Sequence, residues 1–191
     1  DELGGPTYSV AFATAQALTA AGRSAEATLA FDRALASVPA EHRAFTQHEA
    51  AYALIECDRL TEAETLLGEV VTDPSYSHRG DALADLADVR LRRGELDSAH
   101  ALAQEALELG ATAPACITLG SVAFEYYRLE DAAAWYEQAL SASQPGDPFW
   151  VAAQQMLADV YSQMGEEYAA RVLLHARAAL EHTDVGSEWY L

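Results

Sequence analysis

The chain has 191 residues, enough for one domain or one short array of repeats, and 51% of them are hydrophobic, which excludes general disorder. Thirty Asp and Glu stand against 11 basic residues, all Arg, for a formal net charge of −19 at pH 7. A surface of that sign repels nucleic-acid phosphates and anionic membranes; it either suits basic or neutral partners or serves solubility alone. The absence of Lys and Asn beside abundant Ala reads as codon bias in a GC-rich, bacterial genome. A halophilic origin is the rival, and the excess of Glu over Asp weighs against it.

The elements follow in chain order. The opening DELGGP reads as a linker. Helical periodicity then predicts pairs at 8–21 and 24–37, 41–57 and 60–72, 78–93 and 96–109, 113–127 and 130–142, and 148–164 and 167–181. No strand is predicted. In the second helix, GRSAEATLAFDRALASVP (22–39), Gly22 ends the preceding pattern and Ser24 is placed to cap the new one. Ala27, Phe31 and Ala34 share one face, and Pro39 forbids continuation. No apolar run approaches the ~18 residues of a membrane span, and no signal peptide is visible. Cys57 and Cys116 fall in apolar helical contexts and read as buried, reduced thiols of a cytoplasmic protein.

The phrase then returns. Ala63, Leu67 and Val70 repeat it, as do Ala99, Ala103 and Ala106, then Ala132, Tyr136 and Ala139, and finally Ala170, Leu174 and Arg177. Each follows a helix with a small residue at a crossing point: Ala15, Ala51, Ala87, Gly120 and Ala158. Both series (27, 63, 99, 132, 170 and 15, 51, 87, 120, 158) step by 36, 36, 33 and 38 residues. A small residue lets two helix backbones approach to the short end of the ~8–10 Å packing range, and the large one fills the adjoining space. Arg177 stands where a small residue belongs, which leaves the fifth register open to a shift.

These spacings resemble the tetratricopeptide repeat family, whose helix–turn–helix unit is about 34 residues long. The resemblance covers nearly the whole chain and implies an all-α, right-handed superhelical solenoid. Its repeats span about 8–40, 41–74, 75–112, 113–146 and 147–182. Advancing Gln154 by 35 reaches Trp189, where the family carries a helix A Trp. Residues 183–191 are therefore expected to be either a native cap or a truncated sixth helix, with Trp189 docked on helix 167–181.

In that family helix A of each repeat lines a concave surface, and partners bind there as extended peptides or helices. The resemblance places Phe12 and Gln16 on that surface, followed by Phe45, His48, Tyr52 and Ile55, then Asp88 and Leu91, Ile117 and Phe124, and Asp159. Phe45, His48, Tyr52 and Ile55 run at three, four and three residues, so they share a face distinct from the packing face of Ala44, Ala51 and Leu54. That stripe is either a ligand-binding surface or the filling of a tightly curved solenoid. With Asp81, Asp88, Glu125 and Asp159 nearby, it suits a protein or peptide partner carrying apolar and basic side chains. The Lys, Asn and Arg clamp with which some family members grip a C-terminal carboxylate is missing.

The six histidines show no metal-ligand spacing, and the chain lacks a phosphate loop or nucleophile elbow. No enzyme activity, metal or cofactor is expected. Arg90, Arg92 and Arg93 in RLRRGE close a helix, where cations offset the dipole by ~0.3–1 kcal/mol each. The resemblance also puts Arg90 at a position usually packed, within reach of a carboxylate on a neighbouring helix or of an anionic partner group. The expected function is a protein-interaction scaffold. The alternatives are a regulatory arm of a longer bacterial regulator, or self-assembly through the array ends with Trp189 of one chain on the first repeat of the next.

Overall fold

A computed structural model describes residues 8–182; the expectation for Trp189 lies outside the described residues. Ten α-helices occur among them: α1 (Tyr8–Ala20), α2 (Ser24–Leu35), α3 (Arg43–Glu56), α4 (Leu60–Val70), α5 (Arg79–Arg92), α6 (Leu96–Glu108), α7 (Thr112–Glu125), α8 (Leu129–Ser141), α9 (Pro148–Met164) and α10 (Ala169–His182). One-turn 3-10 segments at Ala40–His42 and Glu166–Tyr168 precede α3 and α10. The chain divides into two compact units, Asp1–Val89 and Arg90–Leu191.

One turn geometry joins the helices of the first four pairs. Gly22 and Asp58 adopt left-handed φ values of 69° and 57°, and the next residue, Arg23 or Arg59, donates its N–H to the carbonyl five back, Leu18 or Leu54. In the second unit Gly94 and Tyr127 do the same, at 75° and 58°, with bonds from Glu95 to Arg90 and from Arg128 to Ala123. Such a turn satisfies carbonyls that the helix end leaves orphaned. The residue after the turn is then the N-cap, so Arg23 occupies that position and makes no side-chain cap bond. Ser24 is the first helical residue, which corrects its expected capping role. Arg23 and Arg59 instead fold over Glu26 and Glu62, three residues on, at 2.7 and 2.6 Å. Both pairs lie at the surface, where solvent and salt screen them.

In the first unit α1 packs on α2, α2 on α3 and α3 on α4, and α1 also touches α3. Its core joins Ala15, Ala27, Ala30, Phe31, Ala50 and Ala53. Phe31 is 1% exposed, and burying such a side chain contributes about 1.5–3 kcal/mol. In the second unit successive helices from α6 to α10 pack on one another, and α7 also touches α9. Leu129, Ala132, Tyr136, Leu157, Val160 and Tyr161 belong to its larger core. The crossing residues Ala15, Ala51, Ala87, Gly120 and Ala158 are all buried, as are Ala27, Ala63, Ala99 and Ala132.

The last helix departs from the expected register. Ala170, Leu174 and Arg177 are exposed, Leu174 at 63%. The inward face is Tyr168, Val172, His175 and Ala179 instead. Tyr168, Val172 and His175 keep the four-and-three spacing but sit two residues earlier, 36 after Ala132, Tyr136 and Ala139. Aromatic contacts explain the choice. Tyr161 of α9 stacks on Tyr168 and His175 at 5.6 Å each, and the Arg171 guanidinium lies 5.1 Å from its ring centre. His175 Nδ1 is 2.6 Å from Gln154 Oε1, and burial holds its pKa below the usual value.

Candidate functional site

The first unit carries a chain of rings built on α1, α3 and the loop before α5. Tyr8 stacks on Phe12 at 5.6 Å, Phe12 meets Phe45 at 5.7 Å, and Phe45 meets His78 at 6.5 Å. His48 Nε2 lies 2.9 Å from an oxygen of Asp85 and Nδ1 lies 2.9 Å from the Tyr76 hydroxyl. A carboxylate only accepts, so Nε2–H donates to Asp85; in the neutral ring Nδ1 then accepts from Tyr76. Burial, with Glu49, Asp81 and Asp85 close by, pushes the Tyr76 phenol up to about 12. Beside this network opens a cavity of about 500 Å³ lined by Glu41, Phe45, Asp73, Tyr76 and His78 among others.

Along α3, Phe45 and Tyr52 are exposed at 37% and 48%, with half-buried His48 and Glu49 between them. Gln16, on α1, donates to Glu49 at 3.4 Å. Ile55 is 4% exposed and belongs to the core, which corrects its expected place on the stripe. The three-residue step from Tyr52 carries it round toward the packed side, whereas Glu56 takes the exposed position. On α5, Asp88 and Leu91 are each half-buried. Sequence reasoning missed Tyr8, Tyr76 and Asp85. Tyr76 lies in a loop, DPSYSH, where helical periodicity has no bearing. Asp85 lies four residues after Asp81, a spacing that places both carboxylates near one helix face.

The second unit holds a smaller cavity, about 200 Å³, between α7, α8 and α9. Ser121, Phe124, Glu125, Tyr136, Met156 and Asp159 line it, so Phe124 and Asp159 do meet. Ile117 is half-buried against the neighbouring cores rather than in this lining. The Tyr136 hydroxyl is 3.1 Å from Ser121 Oγ. Burial raises the Tyr136 phenol to about 12; the Ser121 hydrogen bond opposes this, and Asp159 and Glu125 add to it.

Elsewhere, Arg90 pairs with Glu95, which Arg93 also reaches at 3.0 Å, so two of the three RLRRGE arginines share one carboxylate. That contact holds the Glu95 carboxyl below its ordinary pKa. Cys116 is fully buried, but Cys57 is only half-buried, which corrects the expectation of two buried thiols. Among the described residues, no group of three His, Cys, Asp or Glu side chains could hold a metal ion. None of the described helices is long and apolar enough to cross a membrane.

Neither a family model nor a curated protein sequence matches the chain. Solved structures do. TTC0263, a thermophilic TPR protein in Thermus thermophilus, is similar with a TM-score of 0.76 and 20% identity, over 94% of this chain and 93% of that one. The pilF structure of Pseudomonas aeruginosa is similar with a TM-score of 0.68 and 16% identity, over 95% of this chain and 78% of that one. A Podosopora anserina protein with nearly identical TPR-like repeats gives 0.66 and 19%, over 90% and 94%. With its paired helices, shared turns and small crossing residues, the chain has the all-α solenoid fold of tetratricopeptide repeat proteins.

Proposed function

We propose that the chain is a protein-interaction module that binds a partner segment carrying apolar and basic side chains along its helix A faces. One observation carries this reading: Phe45 and Tyr52 stand exposed on the same face of α3 as His48 and Glu49. Exposed aromatic side chains in line are the usual anchors of an interface, and carboxylates beside them select cationic partners. The fold supports it, because stacked helical hairpins present a long row of helix faces to a partner. The expected contact residues are Phe12, Gln16, Phe45, His48, Tyr52 and Asp88 in the first unit, and Leu91, Ile117, Phe124 and Asp159 in the second. Panning a random peptide display library on the immobilised chain tests it. The expected yield is peptides combining Arg or Lys with aliphatic residues, whose affinity falls at least tenfold on Phe45→Ser, Tyr52→Ser. Enrichment of acidic peptides, or unchanged affinity in the variant, overturns it.

A second reading, self-association, draws on α10, whose Leu173, Leu174 and Leu180 are 72%, 63% and 74% exposed. A run of exposed leucines on one helix marks an interaction surface. Light scattering across a concentration series, with Leu173→Gln, Leu180→Gln as the comparison, checks it: the mass should rise with concentration in the parent chain only.

A further inference from the structure

The α7–α9 cavity is unusual among the repeats because its floor has been rebuilt. At the crossing position the other helix A members carry Ala15, Ala51, Ala87 and Ala158, but α7 carries Gly120. Opposite it, where other helix B members carry Phe31, Leu67, Ala103 and Val172, α8 carries Tyr136. A Cβ at position 120 would lie 2.5, 2.7 and 2.9 Å from three atoms of the Tyr136 ring. Only glycine therefore leaves room for that ring against α7. The consequence is that a phenol, 2% exposed overall, carries its hydroxyl through the helix layer to Ser121 and into the cavity. A Phe in its place would fill the core as well but would leave the cavity floor apolar.

Around that hydroxyl the lining has one chemical character. Phe124 supplies a ring, Met156 a thioether, and Glu125 and Asp159 are exposed carboxylates at the mouth. Phenol and carboxylate oxygens and the face of an aromatic ring all favour a cation. No positively charged side chain is among the lining residues. The space, about 200 Å³, exceeds the ~150 Å³ in which a benzene ring is known to fit. We infer that this cavity receives one cationic side chain, a lysine or an arginine, of the bound partner segment: its stem lies on Phe124 and Met156 and its head group meets Glu125, Asp159 and the Tyr136 hydroxyl. The inference rests on the interaction-module reading and adds where the basic residue is held.

The probes are three small amides: Nα-acetyl-lysine methylamide, the arginine equivalent, and the uncharged norleucine equivalent. Each is titrated into the full chain labelled with carbon-13 at its two methionine methyls. Met156 lines the cavity and Met164 does not, so Met164 is the internal control. The expected result is a saturable shift of the Met156 signal with a cationic amide, none with norleucine, and at least a tenfold loss of affinity in Glu125→Gln, Asp159→Asn. Both changes are at exposed positions, so the variant's melting curve should stay within a few degrees of the parent's. Tyr136→Phe should weaken binding several-fold. An equal response to norleucine, or no shift of Met156 with either cationic amide, overturns the inference. If display-selected basic peptides still bind in that case, the interaction module stands and only the cavity assignment falls.

Discussion

Gly120 and Tyr136 are sterically matched across α7 and α8: a methyl group at one would sit 2.5 Å from the ring of the other. The ring belongs to a closed core and cannot swing aside freely, since Tyr136 is 2% exposed. Gly120→Ala should therefore cost ~1–3 kcal/mol through overpacking. In a Tyr136→Leu background the same change should cost less, because the shorter side chain vacates the contact. Chemical denaturation of the four proteins of the cycle gives the coupling energy. Additive effects would mean that the two residues do not meet.

Tyr136 also predicts an alkaline response. Its phenol ionises at about 12 in the folded chain against 10.0 for an unperturbed tyrosine, chiefly through burial. The folded state thus favours the neutral phenol. That contribution is fully present below pH 10 and is lost as pH rises toward 12, at up to ~1.4 kcal/mol per pH unit. The loss is on the order of 2 kcal/mol. Tyr136→Phe should make the fall in stability between pH 10 and 12 shallower, with the share due to Tyr76 remaining, measured by denaturant melts at each pH.

The register of α10 has its own test. Val172 is half-buried against the core of the second unit, whereas Leu174 is 63% exposed. Val172→Ala should cost on the order of 1 kcal/mol and Leu174→Ala less than about 0.5. The reverse order would restore the register read from Ala170, Leu174 and Arg177.

The thiols should react unequally. Cys116 is 0% exposed and burial raises its pKa, both of which suppress the thiolate. Cys57 is half-buried at the end of α3. A thiol-specific disulfide reagent should titrate one group rapidly in the native chain and two after denaturation. Rapid reaction of both in the native chain would contradict the packing around α7.

Tyr127 holds a left-handed conformation, φ 58°, where an L side chain other than Asn or Asp is strained. The ring is 70% exposed and contributes little packing. Tyr127→Gly should raise the melting midpoint by a few degrees, corresponding to about 1 kcal/mol.

Local pattern alone determined the helices and most of their register. Ala27, Phe31 and Ala34 bury because four-and-three spacing puts them on one side of any helix, and the period near 36 repeats that constraint wherever Ala recurs. The helix spans from 8–21 to 148–164 agree with the observed ones within a residue or two for the same reason. What pattern could not decide was any choice among faces of comparable apolarity. On α10, Leu173, Leu174 and Leu180 compete with Tyr168, Val172 and His175; the stacking of Tyr161 and Arg171, which exists only once α9 lies beside α10, selects the second set. Ile55 read as a surface anchor because it continues the spacing of Phe45, His48 and Tyr52, yet burial is set by the neighbours on both sides of α3. Tyr76 and Asp85 reach His48 across 28 and 37 residues, a proximity that a helical period of 3.6 residues does not encode. Gly120 read as one more small residue; only the Tyr136 ring lying across it shows that a methyl group there would not fit.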